Sequence, residues 1–121
     1  MTASKPPHLA PRTLAAQALG WEEAETHAVV TPIHVATTFI RDPDNQYRNG
    51  FIYGRPDNQT VRQCEAVLTA LEEGAEAMLL GSGMSAATAV VMALPAGAHI
   101  VAPTVMYWAL RNWLMNDAVT Y

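Results

Sequence analysis

Residues 81–86 read Gly81-Ser82-Gly83-Met84-Ser85-Ala86 and fit the pattern G-x-G-x-x-A, directly after a short apolar run. Glycines at this spacing let the backbone come close to an anion, and the first turn of the helix that follows points free N–H groups at it. Phosphate binding is the chemistry on offer, and the pattern leaves open which molecule carries the phosphate. A dinucleotide site wants an acid at the end of the next strand, roughly 20 residues on, to hold the ribose hydroxyls. That position here reads Val101-Ala102-Pro103-Thr104, without a carboxylate. The fingerprint also belongs on the first strand of its domain, whereas a long stretch of helix and irregular chain precedes this one. Both features count against a nicotinamide. The plainer alternative is a tight strand-to-helix turn with no ligand at all.

Other chemistries are narrowed by composition. Cys64 is the only cysteine, which removes an internal disulfide and any multi-cysteine metal site. His8, His27, His34 and His99 lie too far apart for a local metal motif. A net charge of −4 with seven basic residues offers no basic patch for nucleic acid. No apolar run reaches the roughly 18 residues of a membrane helix, and the amino terminus has no apolar signal core. A cytoplasmic location is the default expectation. Lys5 is the only lysine and precedes Pro6-Pro7.

The elements that must position the glycine loop follow from periodicity. Residues 1–11 read as a loose arm, and 13–19 as a short helix. Between 20 and 58, Pro32, Pro43 and Pro56 interrupt any long regular element. So long an irregular stretch more plausibly wraps a neighbour than folds on itself. From Asp57 or Asn58, either of which can cap a helix, Val61, Cys64, Val67, Leu68 and Leu71 recur at helical spacing, and Gly74 is expected to end the helix. Cys64 is expected to pack in the core. Then strands at 77–80, 99–102 and 118–121 alternate with helices at 84–94 and 106–116, the latter with Leu110, Trp113 and Leu114 on one face. This order implies an α/β fold with a parallel sheet and right-handed crossovers. A sheet of so few strands needs further strands and helices, so the chain reads as the first part of a larger domain.

Taken together, the motifs carry a resemblance. The chain gives Tyr53-x-Arg55, then Asn58 and Thr60, Glu65, Leu71-Glu72-Glu73-Gly74 and Ser82-Gly83-Met84, in that order. This ordered set resembles the pyridoxal-phosphate enzymes of cysteine and methionine metabolism, the group of cystathionine gamma-synthase and O-acylhomoserine sulfhydrylase. The segment 28–39, "AVVTPIHVATTF", and residues 98–107 are similar to further parts of that family. The resemblance implies the N-terminal portion of a type I, aspartate aminotransferase-like fold. An intersubunit arm would cover 1–56, and the first β-α-β-α-β part of a mostly parallel cofactor-binding domain would cover 57–121.

The resemblance also implies roles. Ser82, Gly83 and Met84 would bind the phosphate of pyridoxal 5'-phosphate, chiefly through the N–H groups of Gly83 and Met84. Tyr53 and Arg55 would reach the phosphate of a neighbouring subunit in a homodimer or homotetramer, and an arginine fork suits that task. Tyr107 would stack on the pyridine ring. The reaction would be replacement at the gamma carbon of an acylated homoserine, or carbon–sulfur lysis of a sulfur amino acid. The lysine that anchors the cofactor would lie beyond Tyr121, and Lys5 is no substitute. A non-catalytic module that binds a phosphorylated ligand remains the alternative, with a nicotinamide-dependent oxidoreductase behind it. Some positions depart from the family pattern. Pro56-Asp57 and Gln59 replace Ser-Gly and Pro of the usual loop. Trp108-Ala109-Leu110 follows the tyrosine, and Ala109 stands where methionine gamma-lyases tend to carry a cysteine.

Overall fold

A computed structural model describes residues 9–120. Residues 1–8 of the expected loose arm, Lys5 among them, and Tyr121 lie outside the described residues. The chain divides into two compact units, one ending at Met78 and the other beginning at Leu79. The first contains helices α1 (Pro11–Gln17) and α2 (Gln59–Leu71), and the second α3 (Gly83–Met92) and α4 (Trp108–Asn116). Among the described residues no helix is long and apolar enough to cross a membrane.

In the first unit, α1 starts on Pro11, whose fixed φ and missing N–H suit a first helical turn. It leads through a short 3₁₀ turn, Ala18–Gly20, and packs against α2. Helix α2 begins as expected on Asn58, whose side chain accepts from the Thr60 N–H at 2.8 Å. Its end differs from expectation. The left-handed residue is Glu73, at φ 52°, while Gly74 only donates its N–H to the Thr69 carbonyl at 3.0 Å. A turn followed by a 3.0 Å bond back into the helix satisfies the free carbonyls whichever residue type occupies it.

The irregular stretch between the helices is held mainly by polar contacts. Thr38 and Tyr53 form an isolated antiparallel bridge, and the Gly54 N–H donates to the Thr37 carbonyl at 2.7 Å. Gly54 is required here by space: a Cβ would stand 2.4 Å from the Ala36 carbonyl oxygen, a backbone atom that cannot swing away. Phe39 and Phe51 pair with ring centroids 5.3 Å apart, and the Arg62 guanidinium of α2 lies 4.4 Å over Phe51 while its fork binds Asp57. Asp57 raises the pKa of Arg62 through that hydrogen-bonded pairing.

In the second unit, α3 and α4 are in contact. The parallel sheet expected over 77–80, 99–102 and 118–121 is not formed among the described residues. The first two segments run without regular structure, and Ala118–Thr120 is a 3₁₀ turn. Slanted parallel bonds are weaker per residue than antiparallel ones, and parallel strands hold only when both sheet faces are covered. No described residue is buried, so that cover is missing here. Cys64 is likewise exposed, contrary to its expected place in a core, whereas Val67, Leu68 and Leu71 of the same helix are half-buried.

Two predictions follow from these contacts. Gly54→Ala should detach residues 36–38 from 53–54, seen as faster amide exchange at Gly54 and its neighbours with α2 retained; unchanged exchange would show that the close approach is absent. Two carboxylates should titrate low. Glu23 is held below the usual carboxylate range chiefly by the Thr26 N–H, and Asp44 by its pairing with Arg48. A depressed folded-state pKa means the stabilisation is present above the ordinary carboxylate range and is lost as pH falls through the lowered value. Carbon-13 titration should find both carboxyls below their unpaired midpoints, with Arg48→Gln moving Asp44 upward, toward its ordinary value.

Candidate functional site

The glycine loop ends in a side-chain cap. Ser82 is extended, at φ −161° and ψ 158°, and its Oγ accepts from the Ser85 N–H at 3.0 Å. The Ser82 carbonyl accepts from the Ala86 N–H at 3.0 Å, and the Ser82 and Ser85 hydroxyls are 2.8 Å apart. The cap thus uses two of the early N–H groups. Those of Gly83 and Met84, the first two residues of α3, have no protein acceptor among the described residues. They sit at the positive end of the helix, where an anion is favoured.

Neither glycine of the loop is needed for its backbone angles. Gly81 and Gly83 both lie outside the left-handed region, and a Cβ on either would meet nothing within 4 Å. The described residues do not fill the space that a side chain would take. A side-chain-free backbone at these two positions leaves room for a ligand to come close.

Ser82, Gly83 and Met84 share a cleft of about 500 Å³ with Ala87, Tyr107 and Leu110. This volume lies within the range of small-molecule sites. Tyr107 stands immediately before α4 and is 69% exposed, so its ring is available to a ligand. The structure therefore brings together four of the six residues singled out from sequence. Ala87 and Leu110 were not among them, although both lie at helical spacing from named residues: Ala87 follows Gly83 by four and Leu110 follows Tyr107 by three. A smaller cavity of about 180 Å³, with Val91, Leu94, Ile100 and Trp113 in its lining, contains no titratable side chain.

Tyr53 and Arg55 belong to the first unit. There Arg55 Nη2 donates to the Tyr53 hydroxyl at 3.0 Å, and the guanidinium carbon lies 5.1 Å from the centroid of the Tyr53 ring. Arg55 is exposed and Tyr53 half-buried, so the pair presents a cation and a hydroxyl together.

The profile of the family described as "Cys/Met metabolism PLP-dependent enzyme" matches residues 12–119. The chain belongs to this family. Cystathionine gamma-synthase of Mycobacterium tuberculosis is 40% identical over 98 residues, which is 80% of this chain and 25% of the relative. Cystathionine gamma-lyase of Bacillus subtilis is 37% identical over 79 residues, covering 65% of this chain and 21% of the relative. Cystathionine gamma-lyase of Rattus norvegicus is 33% identical over 97 residues, covering 80% and 24%. The chain spans about a quarter of the length of the curated relatives it matches. No solved structure matches it.

The cofactor of the family is pyridoxal 5'-phosphate. The residues of the cleft fit it in kind: two unspent N–H groups at a helix start suit a phosphate monoester, and a neighbouring tyrosine suits a flat aromatic ring. The family also implies the type I transferase fold, of which the helices, but not the sheet, are formed among the described residues.

The cap itself is open to test. Ser82→Ala should loosen the start of α3 by about 1 kcal/mol, the usual cost of losing such a cap. Amide exchange at Ser85 and Ala86 should accelerate accordingly, and Ser82→Asp should restore it. Equal exchange in all three proteins would show that the hydroxyl does not hold the helix start.

Proposed function

We propose that this chain supplies the phosphate-binding and ring-stacking wall of a pyridoxal phosphate enzyme of the transsulfuration type. Its substrate would be a sulfur amino acid or an O-acylated homoserine, and the reaction gamma-replacement or carbon–sulfur lysis. The observation that carries the reading is the cleft in which Tyr107 stands with the helix start of Ser82, Gly83 and Met84. When bound, the cofactor supplies an electron sink for the carbanion left by removal of the substrate's alpha proton. The residues of this chain bind and orient. Gly83 and Met84 hold the phosphate through backbone N–H groups, Ser82 fixes the turn that presents them, and Tyr107 sets the tilt of the ring.

Tyr53 and Arg55 complete the phosphate site of a neighbouring subunit, in a homodimer or homotetramer located in the cytoplasm. Residues 1–56 serve as the intersubunit arm and 57–121 as the beginning of the cofactor-binding domain. The lysine that anchors the cofactor belongs to a part of the protein outside this sequence. Relatives named cystathionine gamma-synthase and relatives named cystathionine gamma-lyase support the two reaction types respectively.

Titration with pyridoxal 5'-phosphate and with pyridoxal, followed by tryptophan fluorescence, tests the reading. Binding should depend on the phosphate. Arg55→Lys keeps the charge but loses the planar fork, and should weaken binding about tenfold. Tyr107→Ala should weaken both ligands, since stacking does not involve the phosphate. Equal affinity for the two ligands in the unaltered protein would remove the phosphate cradle, and with it this proposal.

A further inference from the structure

Asn58 and Thr60 look, from sequence, like the ordinary start of a helix. Each also makes contacts that capping does not require. The Asn58 side chain accepts from the Thr60 N–H through Oδ1 at 2.8 Å, and through Nδ2 it donates to the His34 carbonyl at 2.9 Å. The Thr60 hydroxyl accepts from the His34 N–H at 2.8 Å and lies 3.5 Å from the Pro32 carbonyl oxygen. Both backbone polar groups of His34 are therefore held by the first turn of α2, across more than twenty residues of chain.

This tie continues along the same pair of segments. Three residues beyond His34, the Thr37 carbonyl accepts from the Gly54 N–H at 2.7 Å, and Thr38 bridges to Tyr53. Residues 34–38 run antiparallel to 60–53, fixed at one end by Asn58 and Thr60 and at the other by Gly54 and Tyr53. Tyr53 and Arg55 lie on that rail, and Pro56 restricts the backbone between them and the helix. We infer that Asn58 and Thr60 are positioning residues: by gripping the backbone of His34 they fix where the Tyr53 and Arg55 pair is presented. The inference rests on the reading of Tyr53 and Arg55 as phosphate ligands.

The geometry separates the two tasks of each residue. Asn58→Asp keeps an acceptor for the Thr60 N–H and so keeps the cap, but it removes the donor to His34 and sets a carboxylate against a carbonyl oxygen. Thr60→Val keeps the shape and removes the hydroxyl, whereas Thr60→Ser retains it. One lost hydrogen bond corresponds to about a fivefold change in the local opening equilibrium.

The full chain is measured in each form by amide hydrogen exchange and by pyridoxal 5'-phosphate titration. N58D and T60V should accelerate exchange at His34 and at Gly54 about fivefold or more, while the Glu72 amide, which bonds Leu68 inside the end of α2, stays unchanged. T60S should behave as the unaltered protein. In N58D and T60V the affinity for pyridoxal 5'-phosphate should fall in the same order as Gly54 exchange rises, with pyridoxal affected less. Unchanged exchange at Gly54 overturns the inference, as does faster exchange with full affinity, which would leave a tie with no bearing on the pair. An unaltered chain that does not distinguish pyridoxal 5'-phosphate from pyridoxal sinks the proposed function instead, and exchange at Gly54 with rescue by T60S then decides the positioning role alone.

Discussion

The backbone of residues 34–38 is tied to that of 53–60 by side-chain and main-chain hydrogen bonds, and the arrangement of the first unit depends on this tie. No described residue is buried, so no fully enclosed apolar core dictates where the irregular chain goes. Apolar contacts are non-directional and tolerate sliding, whereas a bond from Asn58 to one carbonyl and from one N–H to Thr60 sets a register. The close approach at Gly54 reinforces it, since a side chain there would push the Ala36 carbonyl away. The Phe39–Phe51 contact and the Arg62 guanidinium above Phe51 then fasten the far end of the loop to α2.

The two helix starts that bear on function solve the same physical problem and put the solution to different uses. A helix has early N–H groups without partners. At α2 the cap residues meet that need and use their remaining capacity to grip a distant, irregular segment of the same unit. At α3 the cap is confined to Ser82, Ser85 and Ala86, which leaves the N–H groups of Gly83 and Met84 for something outside the chain. The start of α2 therefore organises protein, and the start of α3 keeps two N–H groups available for the phosphate proposed to bind there.

Sequence reasoning reached these elements unevenly. The Asn58 cap and the approximate extent of the helices are legible, because capping residues and apolar periodicity act over a few residues, whereas the Ser82 cap is found only in the structure and the pairing of the loop with Tyr107 comes from the family resemblance. Residue preference puts the end of α2 on Gly74, yet the left-handed turn falls on Glu73, since the path of the chain decides which position turns. The sheet was read from three short apolar runs, and such runs specify a strand only when partners and cover exist. Cys64 lies at apolar spacing on α2 and stands exposed for the same reason. The second role of Asn58 and Thr60 left no trace in local spacing, because a contact to His34 depends on how a proline-interrupted loop returns.

The arm's side chains show what hydrogen bonding alone leaves undone. Val35 and Ile40 are 89% and 92% exposed, and Val29, Val30 and Ile33 are also largely in solvent. Burying a large aliphatic side chain is worth about 1.5–3 kcal/mol, so a row of them held out by a fixed backbone is a substantial unspent driving force. The tie at His34 holds the backbone at Val35 in register while its side chain remains exposed. An element proposed to lie across a neighbouring subunit needs both properties at once. Its backbone must be ordered before docking, so that little entropy is lost, and its apolar groups must still be available to gain from it.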